Sequence, residues 1–278
     1  METIPNFSIR YFTGTLNAGR ILHPGLAFYR FMKVANSESK FLPSLKDVAE
    51  KTAVPFYAKL MTRMKEQQLA LMSTGIWKVK HFEAKLTTRL AIGLGIPSQS
   101  ENGITLDQTH GIPLIPGSAI KGVVQDYFLF ESGLTQNSHE FIAMFGKGSS
   151  KNGRKGSVIF FDAFPVLDSH VPPFDIDIMN PHFGEYYSSS GSTPPADYLK
   201  PNPIFFLTIK EGTKFYFSLA ARDVVIRDTG NFNHVLYKQT ANDLALSAAE
   251  ILRNTLSELG VGAKTRTGYG RFDCGDIL

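Results

Sequence analysis

Residues 260 to 272 read GVGAKTRTGYGRF. Four glycines in so short a run defeat both a helix interior and a continuous strand, because each loosens the backbone where regular structure must hold it fixed. The segment has to be a loop, and its flanks say which kind. Upstream, Thr240 and Asp243 form a capping box, and Leu244, Ala248, Ile251, Leu252 and Leu259 keep helical spacing up to Gly260. Downstream, Tyr269 to Cys274 reads as a terminal edge strand. This helix-to-strand location excludes two phosphate-binding glycine motifs. A Walker loop needs Gly-Lys-Ser/Thr leading into a helix, whereas Ala263 separates Gly262 from Lys264 and a strand follows. A dinucleotide fingerprint runs from strand to helix and needs a third glycine, absent after Gly260 and Gly262. What remains is a chain of little side-chain bulk whose amides, with Lys264, Thr265 and Arg266, are able to reach one anion. A flexible turn with solvated charges is the plain alternative.

A second glycine-rich segment, GKGSSKNGRKG (146 to 156), carries Lys147, Lys151, Arg154 and Lys155 and, like the first, has no acid. Together the two hold seven of the 29 cations in 24 of 278 residues, where an even spread would place two or three. The net charge of +4 is only mildly basic, so the clustering rather than the overall field points to an anionic partner. Lys121 adds a third signal. In GSAIKGVV it falls in the first turn of a helix, where a cation opposes the macrodipole by about 0.3–1 kcal/mol, and Gly122 beside it costs about 1 kcal/mol of helix propensity. A phosphate on that helix start, approaching Gly117 and Gly122 closely, would offset both. A lysine reaching water and a glycine packed on a strand would serve equally.

The rest of the chain predicts mixed α and β structure. Residues 44 to 72 are helical in pattern, opened by Ser44 with Asp47 and broken near Pro55, with Phe56, Leu60, Met64 and Leu71 on one face. From His81 to Ile92 the period changes to two, which predicts a half-buried strand. Ser118 is placed to cap a helix carrying Ile120, Val123, Val124, Tyr127 and Phe128, a short helix spans Ser138 to Phe145, and SVIFFDAF (157 to 164) reads as a strand. Residues 168 to 203 show no sustained period. Ile204–Ile209 and Lys214–Leu219 flank a Glu211-Gly212 turn and suggest a hairpin. The expected fold is α+β: an N-terminal, largely helical extension (1–75), a first RRM-like unit (76–167), a long loop excursion (168–203) and a second RRM-like unit (204–278), that is, two tandem ferredoxin-like domains with antiparallel sheets.

IPLIPGSAIKG (112 to 122) resembles the signature that opens the first helix of RAMP proteins, the repeat-associated family of CRISPR effectors. GVGAKTRTGYG is similar to that family's C-terminal loop, hydrophobic-Gly-x5-Gly-hydrophobic-Gly in form, and GSVIFFDAFP resembles its strand after the basic loop. DIMNPHFGEYY and DYLKPNPIFFLTIKEGTKFYF are most like the type III-B, or Cmr, members. The resemblance covers roughly residues 81 to 273. It implies a non-catalytic subunit that binds guide CRISPR RNA, paired with target RNA, near the end away from the 5′ tag, caps a filament and touches a neighbouring backbone RAMP subunit. By the motif match Ser118, Lys121 and Gly122 would hold the guide backbone, beside the loop with Gly262, Lys264, Thr265, Arg266, Gly268 and Gly270, and Arg154 and Lys155 are further candidate RNA contacts. Glu83, Lys85, Thr87 and Arg89 stand where an RRM strand would offer stacking aromatics, which predicts recognition of backbone and shape.

The rival function is metal-independent RNA cleavage, which needs a general base, a general acid and a cation. His182 beside Glu185, Tyr186 and Tyr187 is the first candidate and His110 the second, while Asp175 and Asp177 are more simply solvated or capping groups. The single cysteine, Cys274, allows no internal disulfide and argues against a Cys-based zinc site, and no cofactor is expected. With no signal-peptide pattern and no long apolar run, the expectation is a cytoplasmic protein without membrane partners.

Overall fold

A computed structural model of the chain describes residues 41–98, 102–148, 153–166, 173–181, 203–227 and 233–278, with isolated positions such as Tyr29 and Tyr186, and only the backbone of 41–56. The elements in chain order are α1 (Phe41–Ser73), β1 (Trp77–Leu86), α2 (Gly117–Ser132), α3 (His139–Phe145), β2 (Gly146–Lys147), β3 (Arg154–Lys155), β4 (Val158–Phe160), β5 (Phe164–Val166), β6 (Phe174–Met179), β7 (Ile204–Ile209), β8 (Lys214–Arg222), β9 (Val224–Arg227), β10 (Val235–Gln239), α4 (Ala241–Glu258) and β11 (Phe272–Cys274).

The alternation along β1 survives folding: Phe82, Ala84 and Leu86 are buried, Glu83 and Lys85 exposed. β1 pairs antiparallel with β8 over nine positions, from Trp77 opposite Arg222 to Lys85 opposite Lys214. On its other side it pairs with β11, Leu86 facing Phe272, and β8 pairs in turn with β4 and β5. The sheet order β11-β1-β8-β4, with connectivity β1-α2-β4-β8-α4-β11, is that of one ferredoxin-like unit. The expectation of two such units in tandem is corrected here. Among the described residues there is one, assembled from strands assigned to both, because β1 finds its partner 129 to 145 residues downstream rather than within its own segment.

Other expectations shift for the same reason. β7 and β8 flank the Glu211-Gly212 turn but do not pair with each other, since β7 pairs with β6 and β8 with β1. Part of the 168–203 excursion is therefore strand, β6. The first strand starts at Trp77 and stops at Leu86, the 157–164 run divides into β4 and β5, and α1 continues through Pro55. Pro116, not Ser118, is the N-cap of α2, and the amide of Gly117 donates to Asp162 Oδ1 at 2.7 Å. The capping box holds as read, the Thr240 hydroxyl accepting from the Asp243 amide at 3.2 Å, and the short helix begins where expected, with Ser138 found to be its cap.

Each sheet face is covered differently. On one, Phe82, Phe215, Phe217 and Leu219 pack with Ile120 and Val124 of α2 and Leu244, Ala248 and Leu252 of α4, all nearly inaccessible. Each large side chain so buried contributes about 1.5–3 kcal/mol. The opposite face, where an RRM would stack bases, is closed by α1: Tyr57, Met61, Met64 and Gln68 share one helical face, and Tyr57, Met61 and Met64 cluster with Ile112, Phe164 and Tyr216. Gln68 supplies the polar register. Its Nε2 donates to Ser218 Oγ at 2.8 Å and its Oε1 accepts from the Tyr216 hydroxyl at 2.8 Å, all three residues being buried. Burial, more than any charge, pushes the Tyr216 phenol up to about 12.

Gln68→Leu keeps the volume but strands two buried hydroxyls, so urea denaturation is expected to show a loss of about 1–3 kcal/mol. Adding Tyr216→Phe and Ser218→Ala removes the stranded groups and should recover most of that loss.

Candidate nucleic-acid interface

The glycine loop is a packed structure rather than a flexible turn. Val261 donates its amide to the Gly270 carbonyl at 3.0 Å, Ala263 to Ala91 at 2.7 Å and Gly270 to Arg89 at 2.8 Å. A side chain at Gly270 would run into the Val261 carbonyl and one at Gly262 into that of Ala91, both at positive φ, so glycine is required for this closure. Between these tethers Thr265–Thr267 forms a 3-10 turn, entered by Lys264 in the left-handed region at φ 59. Thr267, Gly268 and Tyr269 direct their amides back to the carbonyls of Lys264 and Thr265. The amides of Gly262, Lys264, Thr265 and Arg266 donate to no backbone carbonyl among the described residues. Successive free amides about a left-handed residue make an anion-receiving concavity. Arg266 is exposed beside it, and the Lys264 ammonium lies 5.8 Å from the Phe206 ring centre, held by a cation–π contact.

The loop is fixed to β6 through a carboxylate. Tyr269 donates its hydroxyl to Asp177 Oδ2 at 2.7 Å, and Arg89 donates Nη1 to the same oxygen and Nε to Asp175 Oδ2, each at 2.9 Å. Burial works against ionising Asp177, yet the Tyr269 hydroxyl, the Ile178 amide and Arg89 outweigh it and hold the carboxyl below its usual range. Burial first, and then Asp177, pushes the Tyr269 phenol up to about 12. Neither aspartate is a free acid or base; both orient Arg89 on the wall of a cleft that also includes Lys85, Lys210, Thr267 and Gly268. The three-way junction of Arg89, Asp177 and Tyr269 had no signal in the sequence, since its members come from segments about 90 residues apart or more.

The remaining expected site residues divide by location. Ser118 is exposed in the first turn of α2, which starts against β4, at the sheet edge opposite β11. Gly117 is packed against the Phe160 carbonyl, while Gly122 faces open space. Lys121 does not point at the loop. Its ammonium donates to the Phe145 carbonyl at 2.9 Å, so it neutralises the C-terminal end of α3, and this contact offsets the unfavourable position at the start of α2. Arg154 and Lys155 form β3, paired with β2 in a two-residue ladder, and Arg154 donates to the Val225 carbonyl at 2.8 Å. That hairpin leads into Val158, opposite Ala221, seven residues along β8 from the Lys214 end, which is roughly 23 Å. The two basic segments thus sit at opposite ends of the strand.

Of the catalytic candidates, His182, Glu185 and Tyr187 lie outside the described residues. His110 Nδ1 is 2.7 Å from Asp107 Oδ2, a local pair that also closes the turn through the His110 amide. Among the described residues no group of three or more His, Cys, Asp or Glu is placed to hold a metal ion, and no helix is long and apolar enough to cross a membrane.

A family model for the RAMP superfamily matches residues 83–273, from the middle of β1 to β11 and through the whole glycine loop. The chain belongs to the RAMP superfamily. This RAMP protein is 31% identical to the CRISPR system Cmr subunit Cmr6 of Pyrococcus furiosus, the match covering 67% of the chain and 65% of the relative. It is 26% identical to Cmr6 of Saccharolobus solfataricus, over 72% and 60%. The match thus spans slightly under two thirds of these relatives' length. Among solved structures, a chain of the type III-B Cmr-beta complex bound to cognate target RNA aligns with a TM-score of 0.59 at 22% identity, covering 98% of this chain and 87% of that one, a likeness of fold. The crystal structure of Cmr6 from Pyrococcus furiosus aligns over 70% of this chain and 97% of its own at 29% identity, with a TM-score of 0.40. The mixed helix and antiparallel-sheet architecture accords with the Cmr-beta likeness.

The Asp177 junction has a pH signature. Because its pKa is depressed on folding, its contribution is complete above the unfolded carboxyl value near 4 and fades as pH falls through the lower folded value. The raised Tyr269 pKa works in the opposite sense: its contribution is complete below pH 10 and is lost as pH rises towards 12. In a tyrosinate absorbance titration, Tyr269→Phe should remove one of the late-ionising groups. Asp177→Asn should keep that group but bring it back towards 10.

Proposed function

We propose that this RAMP protein is a non-catalytic RNA-binding subunit of a cytoplasmic type III-B CRISPR effector, gripping the guide RNA backbone near the end away from the 5′ tag and capping the filament of backbone subunits. The observation that carries the reading is the set of amides at Gly262, Lys264, Thr265 and Arg266 that donate to no backbone carbonyl among the described residues, with Arg266 exposed beside them. Amides and cations without base-edge selectivity suit phosphates. α1 closes the face on which bases would otherwise stack. Sequence is then read by pairing between guide and target. The similarity to Cmr6 subunits supports the place in the effector and the contact with a neighbouring RAMP subunit. The non-catalytic assignment is supported by the two aspartates being engaged with Arg89 and by the His110–Asp107 pair serving a turn.

The test is single-stranded RNA binding across a salt series with unrelated sequences of one length. Affinity should fall steeply with salt and differ only a few-fold between sequences. Lys264→Ala with Arg266→Ala should reduce the magnitude of the log–log salt slope by about 1.4, two phosphate contacts on a single strand, whereas Lys121→Ala should mainly lower thermal stability. An unchanged slope in the double variant would remove the loop from the interface. Incubation with precursor and target RNA, with and without divalent metal, should leave both intact; cleavage abolished by His182→Ala with binding preserved would establish the nuclease instead.

A further inference from the structure

A second cleft, of about 550 Å³, lies between α2, the α2–α3 connection and the start of the β2–β3 hairpin, apart from the glycine loop. Gln125, Gln136 and Asn137 all line it, and none of their carboxamides has a hydrogen-bond partner among the described residues. Lys147 and Arg154 stand at the hairpin side, with Asp126 the single acid in the lining. Leu129 and the buried Phe141 and Phe145 make the apolar floor.

This combination is selective in a way the glycine loop is not. Carboxamides offer a donor and an acceptor side by side, the complement of a nucleobase edge or a ribose hydroxyl, and cations at one margin suit the attached phosphate. The volume falls in the range of small-molecule sites and admits one nucleotide.

We propose that this cleft seats one flipped-out nucleotide of the RNA strand that the glycine loop grips, its base edge on Gln125, Gln136 and Asn137 and its phosphate on Lys147 and Arg154. The proposal rests on the RNA-binding reading above. It adds one position of base preference to an otherwise indifferent binder.

The experiment is photo-crosslinking of the full chain to a defined RNA, with mass spectrometry locating both the peptide and the nucleotide. Crosslinks should fall in 125–148 as well as in 260–271, at nucleotides several positions apart. Gln136→Ala with Asn137→Ala, both exposed, should cut the crosslink at the cleft about fivefold or more and leave the salt slope unchanged, since neither group is charged. Lys147→Ala with Arg154→Ala should lower the slope by about 1.4. Crosslinks confined to the glycine loop would overturn the cleft and leave the RNA-binding reading standing. Cleft variants that weaken capture of another effector subunit, with RNA crosslinks and slope unchanged, would assign the surface to protein. Absence of salt-dependent RNA binding and of crosslinks at both sites would overturn the two together.

Discussion

The ladder between β1 and β8 is the interaction on which the rest depends. Nine residues of each strand pair in one register, and this sets which side chains face α2 and α4 and which face α1. Because side chains alternate, a slip of β8 by one residue would carry Phe215 and Phe217 to the α1 side and bring Tyr216 and Ser218 into the apolar interior. Gln68 opposes that slip from outside, since its amide meets both hydroxyls only in the observed register. The ladder also sets the position of everything beyond Leu86 and before Lys214, including the strand ends from which the glycine loop is tethered.

That ladder explains which features are readable along the chain. Caps at Ser138 and Thr240, the alternation in β1 and the loop character of 260–272 are local, each decided by residues a few positions apart. The motifs of helix start and terminal loop carry the family likewise. The choice of β8 as partner for β1 is decided by packing of side chains 129 to 145 residues apart, and a local turn at Glu211-Gly212 suggested a different pairing. One wrong pairing then divided one unit into two. The site follows the same rule: glycine placement in the loop is local, whereas Lys121 meeting Phe145 and Arg89 meeting the two aspartates are products of the assembled fold.

Closure of the sheet by α1 changes what the scaffold has to offer an RNA. A bare four-stranded sheet presents a flat platform, and aromatic residues on it would hold bases by their faces. With Tyr216 and Ala220 buried under a helix, the accessible features are edges, ends and loops. Amides, hydroxyls and cations dominate there, which favours contacts to the sugar-phosphate chain over contacts to stacked bases.

Lys264 is the one non-glycine at positive φ among the described residues. For a lysine that backbone costs roughly 1–2 kcal/mol, a cost that glycine would escape at the same place. The loop therefore carries a residue that folding alone disfavours, and selection for thermal resistance would tend to replace it. A variant of this protein improved only for heat tolerance should be checked for loss of the proposed phosphate contact, because the cheapest gain in the loop and the cation it sacrifices occupy the same position.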